Sequence, residues 1–90
     1  MFPPHDKEIE VTFYTKPDCP LCDRAYDLLE IVAIRKKIRI RAVNILTDPE
    51  IYELYRDRIP VLSFPDGTII DAPIRRDELT RILNNLSAGQ

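Results

Sequence analysis

The two cysteines of this 90-residue chain stand in Thr15-Lys16-Pro17-Asp18-Cys19-Pro20-Leu21-Cys22-Asp23, three positions apart. Thiols at this spacing allow three kinds of chemistry: reversible oxidation to a disulfide, half of a metal site, or a structural bridge. A tetrahedral zinc site needs four ligands. Beyond the pair the chain offers one histidine, His5, in a proline-bearing tail, and carboxylates at no ligand-like spacing. Metal within one chain is therefore disfavoured, although two chains could share a metal or an iron–sulfur cluster. A purely structural bridge is disfavoured too. Small domains that lean on disulfides carry several, whereas one close pair suits a reducing compartment and working thiols. Thiol–disulfide exchange is the favoured chemistry, with Cys19 and Cys22 as catalytic residues.

That chemistry needs a thiolate, and the pair sits where a helix would begin. The first N–H groups of a helix have no intrahelical partners and carry about half a positive charge, which stabilises an anion. Such a setting lowers a thiol pKa from ~8.5 into the range ~3.5–7.5. Cys19 is placed to be the nucleophile, and Cys22, one turn on and more buried, to resolve the mixed disulfide. Pro20 suits the first helical turn, where its missing N–H costs nothing. Lys16 favours the thiolate, while Asp18 and Asp23 oppose it.

The elements that must position this turn follow from periodicity. Ile9, Val11 and Phe13 alternate with Glu10, Thr12 and Tyr14, the period of a strand. Leu21, Ala25, Leu28, Leu29, Val32 and Ala33 then recur at helical spacing, predicting a helix over about 20–36 with this stripe against a sheet. Ile38, Ile40 and Ala42 alternate with Arg39, Arg41 and Val43 in a second strand, whose arginines suit an exposed edge. A strand, helix, strand unit makes these strands parallel neighbours. Thr47-Asp48-Pro49-Glu50 starts a short helix over about 48–56, capped by Thr47 or Asp48. Val61–Phe64 and Thr68–Ile70, separated by Pro65-Asp66-Gly67, form an antiparallel hairpin. Leu79, Ile82, Leu83 and Leu86 describe a last amphipathic helix from near Asp77. The expected architecture is α/β, in the order βαβαββα. Its four-stranded mixed sheet runs 2-1-3-4, with the first and last helices on one face and the short one on the other. If strand three lies antiparallel beside strand one, Pro60 comes next to Cys19.

Composition bounds the rest. At 44% hydrophobic and 31% charged the chain belongs with folded globular proteins, and ninety residues suit one domain, with an ordered core expected over about 8–86 and loose ends beyond it. A net charge of −2 gives no global attraction for nucleic acid or anionic lipid. Arg35-Lys36-Lys37 with Arg39 and Arg41 is the basic cluster, but helix-end and edge-strand placement account for it, and no aromatics interleave for base stacking. Tyr52 and Tyr55 belong to a core stripe with Ile51 and Leu54. Arg75 and Arg76 are candidates for an acidic partner, and equally ordinary surface residues. No apolar run has the length of a signal peptide or membrane span, so a cytoplasmic monomer is expected.

Phe13-Tyr14-Thr15-Lys16-Pro17-Asp18-Cys19-Pro20-Leu21-Cys22 and Arg58-Ile59-Pro60-Val61-Leu62, with the element order over about 9–86, resemble the glutaredoxin-like members of the thioredoxin-fold superfamily. The resemblance implies that Cys19 attacks, Cys22 resolves, Pro60 is cis, and Lys16 helps to hold a carboxylate of glutathione. With Pro60 cis, the backbone of Ile59 would face a substrate segment, and Tyr14 is a further candidate for lining the substrate groove. It implies no bound cofactor, with glutathione as a co-substrate and a protein disulfide or glutathione mixed disulfide as partner. Three positions depart from the glutaredoxin pattern. Leu21 stands for an aromatic residue and Arg58 for a threonine. Ile70-Asp71-Ala72-Pro73-Ile74-Arg75-Arg76-Asp77-Glu78 replaces a Gly-Gly-x-Asp turn that binds the γ-glutamyl end of glutathione. A thioredoxin-like reductant independent of glutathione, and a dimeric metal or iron–sulfur carrier, are the alternatives.

Overall fold

β1 (Ile9–Thr15) is the longer of the two inner strands of the sheet and pairs on both sides. The computed structural model describes residues 8–88. His5, the first seven residues and the last two lie outside the described residues. β2 (Ile38–Asn44) runs parallel to β1 from Ile9 opposite Ile38 to Thr15 opposite Asn44. β3 (Val61–Ser63) runs antiparallel on the other side, with Leu62 opposite Phe13 and Val61 opposite Tyr14. β4 (Ile69–Asp71) pairs with β3 and completes the order β2-β1-β3-β4. The expected sheet order is the one observed.

Successive side chains of a strand face opposite sides, and β1 distributes its aromatic residues accordingly. Phe13 meets the ring of Tyr26 in α1 (Pro20–Ala33) edge-on at 5.4 Å, and Tyr14 meets Tyr55 in α2 (Pro49–Tyr55) at 4.8 Å. α1 and α2 therefore cover opposite faces. α3 (Arg76–Ala88) packs against α1. Val11, Leu29, Leu62, Leu79 and Leu83 are wholly buried and belong to one apolar cluster.

Several boundaries and faces differ from the sequence reading. α1 ends at Ala33, and the next residues form a tight turn in which the Ile34 and Lys36 N–H groups donate to Ile31 and Ala33. Its buried stripe contains Cys22, Ala25 and Leu29, whereas Leu21 is 56% exposed. Leu54 is likewise outside the core, and Tyr55 takes the buried place on α2. Asp48, not Thr47, caps α2, accepting from the N–H groups of Glu50 and Ile51. Thr47 belongs to a separate 3-10 turn, Ile45–Thr47, begun by the Asn44 side chain, which accepts from Leu46 N–H at 2.9 Å. No helix among the described residues is long and apolar enough to cross a membrane.

The hairpin between β3 and β4 closes on Phe64 N–H donating to Thr68 at 2.9 Å and Gly67 N–H donating to Phe64 at 3.0 Å. Gly67 adopts φ +93°, a conformation that side chains disfavour. The Asp66 carboxylate accepts from Thr68 N–H, which holds its pKa below the usual carboxylate value.

Two outcomes follow from these contacts. Leu29→Ala should cost about 2–5 kcal/mol in urea unfolding, whereas Leu54→Ala should stay within about 1 kcal/mol. Because the Asp66 pKa is lowered on folding, its contribution is present above the unfolded pKa and lost as pH falls through the folded one. A carbon NMR titration should place the Asp66 carboxylate below an unfolded-peptide control, and Thr68→Pro, which removes the donor, should erase the difference.

Candidate functional site

The site is built at the C-terminal end of β1, where a short turn hands the chain to α1. Asp18 lies in the left-handed region at φ 59°, which aspartate tolerates better than most side chains. This turn places Cys19 at the N-cap of α1 with extended backbone angles. Its carbonyl accepts from Asp23 N–H at 3.0 Å, so the helical hydrogen bonds begin at this residue. Its Sγ accepts from Cys22 N–H at 3.2 Å. That N–H is one of the orphan donors of the first turn, so it supplies polarity where a thiolate would form. Pro20 takes the first helical position without wasting a donor.

Cys19 and Cys22 are joined in a disulfide, with Cα atoms 5.2 Å apart, inside the ordinary range for such bonds. Cys19 is 9% exposed and Cys22 1%. Of the two, Cys19 is the nearer to solvent. Among the described residues no group of three or more His, Cys, Asp or Glu side chains is arranged to hold a metal ion.

Opposite the cysteine turn lie two further segments. Val61 is paired with Tyr14, which puts Pro60 level with the end of β1. The Ile59–Pro60 bond is cis, and so is Ala72–Pro73, just past β4. Ile59 is buried, and its N–H donates to the Tyr55 carbonyl at 3.1 Å. Lys16 is exposed in the turn before Cys19, and Tyr14, half-buried, packs on Tyr55. Pro60 does lie in a groove with the motif: Leu21, Arg24, Ala25 and Leu28 form one wall and Pro60, Ala72, Pro73 and Ile74 the other, around about 240 Å³. Tyr14, Lys16 and Ile59 are not among its lining residues. A second hollow of about 310 Å³ on the other side of α1 touches Cys22, Asp23, Tyr26 and Asp27. A wider depression along α3, with Arg76 and Arg81 on its wall, includes no residue of the cysteine turn.

One residue ties the two opposing segments together. Arg58 Nε donates to Asp71 Oδ2 at 2.9 Å, its guanidinium lies 5.7 Å from the Tyr55 ring centre, and its carbonyl accepts from Ala72 N–H at 3.4 Å. Arg58 thus links α2, the entry to β3 and the exit from β4. The sequence marked position 58 only as a departure from threonine. Its partner Asp71 lies thirteen residues away, and no local pattern pairs the two.

Comparison with known proteins agrees with this geometry. Residues 10–84 match the family model described as Glutaredoxin-like domain (DUF836). Among solved structures, the X-ray structure of protein XcR50 from X. campestris is 32% identical, with a TM-score of 0.71 over 82% of this chain and 95% of that one. Protein Ne2328 from Nitrosomonas europaea is 21% identical, with a TM-score of 0.73 over 83% of this chain and 91% of that one. A mutant thioredoxin from Halobacterium salinarum NRC-1, 16% identical, aligns with a TM-score of 0.70 over 92% of this chain and 78% of that one, a likeness of fold. Among curated proteins no significant match is found.

The Arg58–Asp71 pair is half-exposed at both partners, so a double-mutant cycle with Arg58→Ala and Asp71→Ala should give a coupling of about 0.2–1 kcal/mol. Urea unfolding of the four proteins measures it. By its sequence match and its fold, with the cysteine pair at the head of α1, the chain belongs to the glutaredoxin-like domain family, within the thioredoxin fold.

Proposed function

We propose that this protein is a thiol–disulfide oxidoreductase whose working groups are Cys19 and Cys22. The observation that carries the reading is Cys19 at the N-cap of α1, its sulfur facing the Cys22 N–H and within bonding reach of the buried second sulfur. The cycle starts from the dithiol. Cys19 thiolate attacks one sulfur of a substrate disulfide, the substrate S–S bond breaks, and the departing thiolate takes a proton from solvent. Cys22 then loses its proton and attacks Cys19 Sγ. The second substrate sulfur leaves as a thiol, and the Cys19–Cys22 disulfide remains. Two electrons and two protons pass to the substrate.

Re-reduction needs a thiol donor. Lys16, exposed just before the motif, supports glutathione, with its ammonium set to meet a carboxylate. A second reading, recycling by a dithiol protein, is favoured by the chain beyond β4. There Ala72 N–H is already engaged by Arg58 and Pro73 has none, so this stretch offers few donors to a γ-glutamyl group. No resident cofactor is proposed. Ile59, its N–H taken by Tyr55, would meet a substrate segment through its carbonyl, beside Pro60, while Tyr14 would act indirectly, by packing on the Tyr55 ring over which Arg58 lies. A cytoplasmic monomer acting on protein disulfides is the setting this chemistry fits.

Cys19→Ser should lower turnover at least about a thousandfold on every disulfide substrate, as expected for loss of a nucleophile. Cys22→Ser should keep exchange with a glutathione mixed disulfide if glutathione recycles the protein, and lose reduction of an internal protein disulfide. Release of thiol, followed by absorbance, measures both, and an active Cys19→Ser would overturn the assignment.

A further inference from the structure

The side of α1 turned away from its buried stripe is not uniformly polar. Ile34, the C-cap of the helix, is 80% exposed, and Ile31 is 49% exposed. A lone apolar residue on a surface needs no explanation. These two, however, stand three apart on one helical side, in a shallow depression whose other lining residues are Asp27 and Glu30. Arg35 follows at once, exposed, in the turn that closes the helix. Asp27, Glu30 and Arg35 have no ion-pair partner among the described residues. From N- to C-terminus this face runs acidic, apolar, basic.

That order is complementary to its own reverse. When two copies of α1 lie antiparallel about a two-fold axis midway between residues 31 and 34, Ile31 comes level with Ile34 of the second copy. Glu30 then comes level with Arg35 of the second copy, and Asp27 lies within one further turn of that arginine. The two-fold axis repeats every pairing, so the apolar centre has opposite charges at both ends. Parallel helices would set like charges together. The exposed edge of the sheet offers no such match, because Arg39 and Arg41 of β2, both exposed, would oppose the same residues of a second strand.

We propose that the occupant of this face is a second copy of this chain, joined through α1 in an antiparallel two-fold dimer. One helix face per copy falls below the ~1,200 Å² typical of stable complexes, in the range of weak encounters, so a dissociation constant on the order of 100 µM is expected. Dilute protein is therefore the monomer, and exchange needs one chain only. At 1.5 Å per residue Cys19 lies about 20 Å along the helix from the two-fold axis, which sets the two cysteine turns about 40 Å apart at opposite ends of the pair. Both remain open, and a dimer of this form cannot share one metal cluster between its cysteine pairs. The inference is independent of the exchange reading.

Sedimentation equilibrium of the reduced full chain from about 10 µM to about 1 mM tests it, since mass action then drives association. The average mass should climb from one chain toward two, and amide shifts that move with concentration should fall on residues 27–35. Ile34→Ser should weaken association at least about tenfold while leaving the urea midpoint of the dilute protein unchanged. Glu30→Arg sets arginine level with arginine at both ends, and Arg35→Glu sets glutamate level with glutamate, so each alone should weaken association at least about fivefold. An equimolar mixture of these two variants regains both opposite-charge pairs and should associate to within about twofold of the wild type. A wild-type chain that keeps the mass of one copy at about 1 mM would overturn the proposal. So would association that Ile34→Ser or both charge reversals leave unchanged, because another surface would then join the copies. A mixture no tighter than its components would refute the antiparallel pairing.

Discussion

Everything in this molecule is arranged around the fact that the central strand ends where a helix begins, and that the residue between them is a cysteine. β1 is hydrogen-bonded to β2 and β3, so its last residue is held on both flanks. α1 is fixed by the packing of Leu29 and Ala25 on that sheet. The N-terminus of α1, with its unspent N–H groups, is thereby positioned at the end of the strand. The sulfur at that junction accepts from a first-turn N–H and is positioned by the same contacts that fold the domain. Burial of Cys22 on the inner face of the helix makes the second sulfur part of the core.

The opposing side is organised by pairing rather than by capping. β3 is short, and its antiparallel register brings its first residue to the end of β1. The connection from α2 is therefore forced past the cysteines. Arg58 secures that passage through three contacts of different kinds: an ion pair to Asp71, a cation over the Tyr55 ring, and a carbonyl accepting from Ala72. Each is modest, and together they keep two proline-bearing segments side by side.

Much of this was legible in the residues. Alternation in 9–14 and helical spacing in 79–86 rest on single, unambiguous periods, and those elements stand where expected. The spacing of Cys19 and Cys22 and the proline between them located the turn. Which face of α1 points inward was harder, because Leu21 and Cys22 are neighbours and either phase fits the same period; sulfur went in and leucine out. The 3-10 turn at 45–47 depends on the Asn44 side chain bending back on its own backbone, a local choice that apolar patterning does not register. Arg58 with Asp71, and the groove wall at 72–74, come from β3–β4 pairing, which joins residues far apart in sequence. A pattern read along one segment has no access to them.

α1 shows a division with a wider meaning. Its inward residues, Cys22, Ala25 and Leu29, hold the fold, whereas Leu21, Arg24 and Ile31 reach solvent. Substitution on the outer side removes little buried area, whereas substitution at Cys22, Ala25 or Leu29 reaches the core directly. The helix therefore tolerates change unevenly around its circumference, from one side to the other within a single turn.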